Sequence, residues 1–316
     1  MGKETLFERL CCPACGGALR KRDEEVVCES CGRTYPIVGG VPRFVERENY
    51  ASSFGLQWNI HSKTQLDSHI GLDISRERLF TASHWPERME GETILEAGSG
   101  AGRFTEVLAS TGANVLSFDL SSAVDANQSS NGDKENVLIF QARIEAAPVA
   151  PASMGKVMCL GVIQHTPDPH AAFQALAKYV RPGGELVIDC YPKTWRGMLQ
   201  WKYVLRPVTK RMNEERLYRF VRWYAPKLVP VSIGLSKVLG RWAKRLVPIQ
   251  QYEDLFPLTR EQNVEWAVLD TFDALSPAHD HPQTLETVRK WYREAGFRDI
   301  VVEPGWNGIV GRGIKA

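Results

Sequence analysis

The sequence predicts an α/β chain built on a doubly wound parallel sheet, with a small cysteine ribbon ahead of it and a helical insert near its end. Three observations carry this. From Glu92 onward, short apolar runs alternate with segments of helical length, the order that parallel strands and crossover helices require. The run Ile94-Leu95-Glu96-Ala97 passes into Gly98-Ser99-Gly100-Ala101-Gly102-Arg103-Phe104, which reads as strand, tight turn and helix start. Near the amino terminus, four cysteines fall into two Cys-x2-Cys pairs.

The totals bound the class. At 316 residues, 43% apolar and 24% charged, the chain has material for a large core. No apolar run approaches the ~20 residues of a membrane span, and the first residues lack a signal-peptide core. Leu6 stands where a myristoylation signal needs Ser or Thr. A cytoplasmic location is the expectation. The net charge of +2 is unevenly spread: residues 193–250 hold fourteen Lys or Arg against Glu214 and Glu215, so they carry +12 and the remainder carries −10. Asymmetry of this kind bears on partners.

In chain order, the first unit is 1–45. Of seven cysteines, five lie in the first 31 residues, and Cys12, Cys15, Cys28 and Cys31 form the two pairs. Glycine follows each pair (Gly16-Gly17, Gly32), letting backbone amides turn toward the sulfurs. Four thiolates so spaced suit tetrahedral zinc, structural because no coordination position stays open. The alternative is two disulfides, which a reducing compartment disfavours. Cys11 reads as a spare thiol. With the continuation Tyr35-Pro36-Ile37-Val38-Gly39-Gly40-Val41-Pro42-Arg43-Phe44, the unit resembles the small zinc-ribbon proteins that activate tRNA and protein methyltransferases. Residues 46–91 follow as a helical linker of two or three short helices. Two readings of it stand: a packing layer under the ribbon, or a lid that brings Trp58 over a ligand.

Within 92–316 the pattern predicts strands at 93–97, 114–118, 136–141, 156–160 and 184–190, and helices at 102–110, 121–130 and 169–180. Ligands of such a sheet bind at the carboxyl ends of its strands. The glycine spacing is G-x-G-x-G, not the dinucleotide G-x-G-x-x-G. Glu96 at its mouth suits an ammonium group better than a pyrophosphate. Asp119 ends the second strand about twenty residues on, where a carboxylate reaches ribose hydroxyls; a turn-capping role is the alternative.

Glu96-x-Gly98-x-Gly100-x-Gly102, Asp119, the run Gly161-Val162-Ile163-Gln164-His165-Thr166-Pro167-Asp168-Pro169 and Arg181-Pro182-Gly183-Gly184 together resemble class I S-adenosylmethionine-dependent methyltransferases, whose sheet is Rossmann-like. The resemblance spans about 92–191, and a helix over 284–295 with the strands after it fits the same fold. It implies S-adenosylmethionine as cofactor. It also implies contacts from Glu96, Gly98, Ser99, Gly100 and Gly102 at the methionine end, from Asp119 and Leu120 at the ribose, and from Arg143, Ile144, Gly161 and Gln164 around the rest. Two positions depart from the pattern: Arg143 stands where an acid usually meets the adenine, and Met154-Gly155 replaces the usual Phe-Asp of the fourth strand.

In-line methyl transfer requires positioning above all, and a base only when the acceptor carries a proton. His165, beside the strand ends, is the candidate base; a histidine that only holds backbone or cofactor is the alternative. The insert 193–262 mixes basic residues with aromatics and is punctuated by Pro207, Pro226, Pro230 and Pro248. Over 232–247, Leu235, Val238, Leu239, Trp242 and Leu246 share a helical face. The insert reads as a cap over the acceptor, as a surface for an anionic membrane or lipid-linked substrate at the inner membrane face, or as an RNA surface. The polar stretch 270–282 reads as a loop entering the acceptor pocket. Trp58, Tyr191, Asp273, His279 and His281 are the substrate candidates. The expected activity is methyl transfer to O or N of a small molecule or glycan. The alternatives are RNA base methylation and a binding protein that has lost activity.

Overall fold

The structure, a computed structural model, describes residues 2–46, 49–195, 197, 200–240, 246–253 and 255–316. Helix α1 (Lys3–Phe7) leads into an antiparallel sheet of β1 (Leu19–Arg22), β2 (Glu25–Cys28), β3 (Thr34–Val38) and β4 (Val41–Pro42). Three helices follow, α2 (Ser52–Ile60), α3 (Asp67–Ile70) and α4 (Ile74–Ser83). Strands and helices then alternate as β5 (Thr93–Ala97), α5 (Arg103–Ser110), β6 (Asn114–Asp119), α6 (Val124–Asn131), β7 (Val137–Gln141), β8 (Met154–Cys159), α7 (Pro169–Tyr179) and β9 (Val180–Cys190). The insert supplies α8 (Trp201–Thr209), α9 (Glu214–Leu239) and α10 (Arg260–Leu275). Helix α11 (Leu285–Glu294) and the hairpin β10 (Phe297–Gly305) and β11 (Gly308–Lys315) close the chain.

The large sheet runs β10-β11-β9-β8-β5-β6-β7. Strands β5 to β9 are parallel, and β11 is antiparallel to both its neighbours. Every residue of β5 and β7 is buried, as expected of strands with helices on both faces. The order reverses between β5 and β8, so their carboxyl ends part and leave a crevice.

The cysteine ribbon shares the core of this sheet. Leu6, Phe7, Leu10 and Val26 are buried in one cluster with Leu138 and Phe140 of β7. Phe44 N–H donates to the Gln141 carbonyl at 2.8 Å, and the Arg43 guanidinium reaches the Gln141 side chain at 3.1 Å and the Asp125 carboxylate. The ribbon therefore continues the β7 edge, which would otherwise present unpaired backbone groups.

Four expectations need correcting. Helix α6 begins at Val124, not 121, because Ser121 turns back to bond Asp119 through its N–H (2.8 Å) and hydroxyl (2.7 Å). Strand β9 begins at Val180, with Pro182, Gly183 and Gly184 bulged out of its pairing with β8. Residues 270–275 belong to α10, not to a loop. A capping box at Thr259 starts that helix, and Trp266, Leu269, Phe272 and Leu275 bury one side of it. Pro207, Pro226 and Pro230 lie inside α8 and α9 instead of ending them. Consequently the buried side of α9 is Leu217, Tyr218, Val221, Ala225, Val229 and Ser232, while Val238 is exposed. Of the face expected over 232–247, Leu235 packs against that core, whereas Val238, Leu239 and Leu246 are exposed. Trp242, Arg241, Lys244 and Arg245 lie outside the described residues.

Leu6→Ala should lower stability by about 2–5 kcal/mol and move the whole fold at once. Guanidinium unfolding followed by tryptophan fluorescence and by cysteine labelling should show one shared, shifted transition. A ribbon that opens alone, with the fluorescence midpoint unmoved, contradicts the common core.

Candidate functional site

The carboxyl ends of β5, β6, β8 and β9 open into a cavity of about 620 Å³, roofed by α2, α4, α8 and α10. Its floor is the glycine turn, whose three glycines have three different reasons. Gly98 has φ +78°, and a Cβ there would fall inside the Val162 side chain. Gly100, at φ +53°, faces the cavity beneath Trp58, whose Nε1 lies 3.2 Å from where a Cβ would stand. Gly102, at φ +90°, would drive a Cβ into Asn127 and Asn131. It lines packing, not the cavity, and so stands apart from its expected ligand contact.

Beneath the turn, Glu96 is only 2% exposed and is not among the residues that line the cavity. One carboxylate oxygen accepts from the Thr105 hydroxyl at 2.5 Å, and the other has no partner among the described residues. Thr105, Ser117, Asn127 and Asn131 continue the network to the Gly102 carbonyl. Burial raises the Glu96 carboxyl to about 7, against the bond from Thr105. Asp119 accepts from Gly100 N–H at 2.9 Å as well as from Ser121, so it caps the turn while lining the cavity. A carboxylate has about four acceptor positions, and these three donors leave room for a ligand hydroxyl. Burial raises its pKa.

At the far end His165 lines the cavity, with its ring against Phe54 (5.2 Å) and Tyr191 (5.4 Å). Its Nδ1 lies 3.0 Å from the His279 carbonyl. A carbonyl only accepts, so Nδ1 carries the hydrogen and Nε2 the lone pair. Burial lowers the His165 pKa, with Asp273 and Asp280 opposing and Lys202 adding to the shift. Burial thus favours the neutral imidazole, against the His279 carbonyl, which favours the charged one.

Of the other expected residues, Ser99, Leu120, Ile144, Gly161, Trp58, Tyr191 and Asp273 line the cavity. Arg143 is exposed and outside it, and so is His281. His279 packs its ring on Tyr50 and His281 beside the cavity and contributes its carbonyl to His165. Gln164 is fully buried behind the wall, its carbonyl accepting from His281 N–H at 2.8 Å. Gly155 faces Arg181 and Glu92, not the cavity.

Sequence reasoning missed a charged group at the cavity's centre. Arg103 bonds Gln65 and, at 3.1 Å, Ser75. Arg78 pairs with the buried Asp189 at 2.6 Å. Burial, with Arg78 adding, lowers Arg103 to about 10. Asp270 accepts from Tyr252 and is raised to about 7 by burial, and Lys202 pairs with Asp280 at 3.1 Å. Arg103 carried a readable signal, since a cation in the first turn of a helix opposes the macrodipole and wants a reason. Arg78, on a helix without a motif, carried none.

In the ribbon, the four cysteine sulfurs lie within 4.8 Å of one another. Cys12 and Cys31 are 3.8 Å apart, and Cys15 and Cys28 3.5 Å. Tetrahedral bonds of ~2.3 Å to zinc place sulfurs about 3.8 Å apart. The donor set and its spacing fit that ion. Gly16 and Gly32 take φ +74° and +72° at the two knuckles.

Residues 95–188 match the family model of the methyltransferase domain, and residues 3–40 match that of the Trm112p-like proteins. A protein of Cupriavidus pinatubonensis named ubiquinone biosynthesis O-methyltransferase is 30% identical over 114 residues, 35% of this chain and 46% of its own length. One of the same name from Idiomarina loihiensis is 29% identical over 161 residues, 47% of this chain and 63% of its own. The chain spans about half the length of the curated relatives it matches. A solved complex of the Haloferax volcanii Trm112 methyltransferase activator with a methyltransferase aligns at TM-score 0.47 and 11% identity, over 85% of this chain and 98% of that one. An S-adenosyl-L-methionine-dependent methyltransferase from Methanococcus maripaludis aligns at TM-score 0.46 and 12% identity, over 86% and 96%.

The bond from Tyr252 favours the ionised form of Asp270. Tyr252→Phe should therefore raise the Asp270 titration above its value of about 7, read by carbon-13 NMR of the labelled carboxyl. A midpoint that stays or falls contradicts this arrangement.

Proposed function

We propose that this chain, which carries a methyltransferase domain over residues 95–188 behind a Trm112p-like segment over residues 3–40, transfers the methyl group of S-adenosylmethionine to an oxygen of a small ring-bearing acceptor. The observation that carries the reading is the continuity of one cavity from the glycine turn to His165. The cradle at Gly98 and Gly100 suits a ligand that approaches backbone closely. Arg103 and Arg78, which line the cavity, suit the carboxylate of a methionyl group, and Glu96, buried beneath the turn, has an unpartnered oxygen for its ammonium. Asp119 would take a ribose hydroxyl.

S-adenosylmethionine supplies an electrophilic methyl on a sulfonium. The chain's part is to hold the acceptor oxygen in line and accept its proton. His165 Nε2 would take that proton, with the His279 carbonyl holding the tautomer and Phe54 and Tyr191 holding the ring. Because burial depresses its pKa, His165 would be a competent base above that value and lose competence as pH falls through it. The wall of Tyr50, Phe54, Trp58, Tyr191, Tyr203 and Tyr252 suits a flat acceptor, and the name shared by the curated relatives supports oxygen as acceptor. Asp270, Asp273 and Asp280 beside the acceptor end disfavour a phosphate backbone, which argues against RNA. Arg143 and Gly155, the two departures that suggested lost activity, both stand off the cavity. Cys12, Cys15, Cys28 and Cys31 would hold a structural zinc ion.

Calorimetry with S-adenosylhomocysteine should show binding to the parent, weakened by about a hundredfold or more in Gly98→Val. Binding that survives this change contradicts the cofactor cradle. His165→Gln should keep that binding and lower kcat for methyl transfer from labelled S-adenosylmethionine to phenolic acceptors by about 10²–10⁴-fold; an unchanged kcat removes the base. Cys28→Ser should lower bound zinc below about one per chain by elemental analysis, and an unchanged stoichiometry refutes the four-cysteine site.

A further inference from the structure

Helix α9 presents two opposite faces. One is buried against α10 through Leu217, Val221, Ala225 and Val229. At the 100° step of a helix, Arg216, Phe220, Trp223, Lys227, Val231 and Val238 fall together on the other side, and all six are exposed. Trp223 is 61% exposed and Phe220 51%, stacked at 6.2 Å with the Lys227 ammonium 3.9 Å from the indole centre. Between Glu215 and Glu253 the sequence has no acidic residue. Helix α8 repeats the arrangement. The buried Arg206 ties it to the carbonyls of Ala274 (3.3 Å) and Pro277 (2.8 Å) at the end of α10, while Val204 and Val208 are exposed on its other side. A single exposed apolar residue needs no explanation, but a continuous row among cations does.

We infer that the outward face of α9, continued by α8, docks the protein on an anionic phospholipid surface. Charge complementarity selects this occupant. A second copy would set Arg216, Arg219 and Lys227 against their own likeness, which repels. RNA would stack on Phe220 and Trp223 but gains nothing from Val204, Val208, Val231 and Val238. A lipid interface satisfies all three classes: aliphatic side chains enter the acyl boundary, Trp223 sits at headgroup level, and the cations meet lipid phosphates. No helix among the described residues is long and apolar enough to cross a membrane, so contact is at the surface. Docking has a use for the proposed reaction, and in that respect it rests on that reading. Lys202 and Tyr203, in the first turn of α8, line the cavity, and Ser52 of α2 bonds Glu214 at the start of α9 at 2.6 Å. Of the lipid-facing helices, α8 is thus a wall of the cavity, beside which a membrane-borne acceptor would enter.

The test is flotation of the full chain with phosphatidylcholine vesicles made with and without phosphatidylglycerol. The expected result is binding only where phosphatidylglycerol is present, abolished by high salt. Arg216→Glu with Arg219→Glu should weaken it by about tenfold or more, at roughly 1 kcal/mol per basic residue. Phe220→Ser with Trp223→Ser should also weaken it by about tenfold, with unfolding transitions like the parent's in both pairs. Equal binding to both vesicle types, no binding to either, or variants that bind as the parent does would overturn the inference. So would a dimer by ultracentrifugation that Trp223→Ser dissociates, with no vesicle binding. Vesicle binding without any affinity for S-adenosylhomocysteine would leave the docking face standing and remove the enzymatic reading instead.

Discussion

A carboxylate with one oxygen left unbonded sets the terms for the centre of this molecule. Glu96 sits at 2% exposure under the glycine turn, and burial raises its pKa to about 7 against the Thr105 and Ser117 hydroxyls, which favour the ionised form. An unmet buried acceptor costs of the order of 1–3 kcal/mol, so the surroundings have to hold it. The chain Thr105, Ser117, Asn127, Asn131 does so, and through the Gly102 carbonyl the same chain shapes the turn. The sign of the linkage is definite. The folded state keeps this proton to about 7 and the unfolded chain releases it near the ordinary carboxyl value of 4.5, so this group's contribution to stability falls as pH rises across that window.

The cavity above the turn carries charge of its own. Arg78 with Asp189 and Lys202 with Asp280 form buried or half-buried pairs, and Arg103 and Asp270 stand beside them among a wall of aromatic rings. Pairs of this kind add little to stability, and their arrangement at the strand ends suits recognition better than packing. Arg78 on α4, Lys202 on α8 and Asp270 on α10 lie outside the residues matched by the methyltransferase domain model, whereas Arg103 on α5 lies inside them. The cavity is thus supplied partly by the matched segment and partly by the sequence around it.

That division explains what could be read beforehand. The parallel sheet, the glycine turn, Asp119 and the cysteine pairs were legible because each is a local signal: burial on both faces, positive φ, a strand end, ligand spacing. The misreadings have tertiary causes. Asp270 and Asp273 looked like loop residues because their polar side chains drew notice away from the buried row Trp266, Leu269, Phe272, Leu275. Pro226 and Pro230 looked like breaks, yet α9 continues through both because its other side is clamped on α10. Arg143 and His281 were expected near a ligand and stand at the surface. His279 serves His165 through a carbonyl, a role that no side-chain pattern announces.

The most direct test of Glu96 as the partner of a ligand ammonium is proton release. Calorimetry of S-adenosylhomocysteine binding near pH 6.5, repeated in buffers of different ionisation enthalpy, measures it. An ammonium set against Glu96 favours the ionised carboxylate, so binding should release close to one proton in the parent and distinctly less in Glu96→Gln. Binding with no buffer dependence, or the same release from Glu96→Gln, would contradict that role.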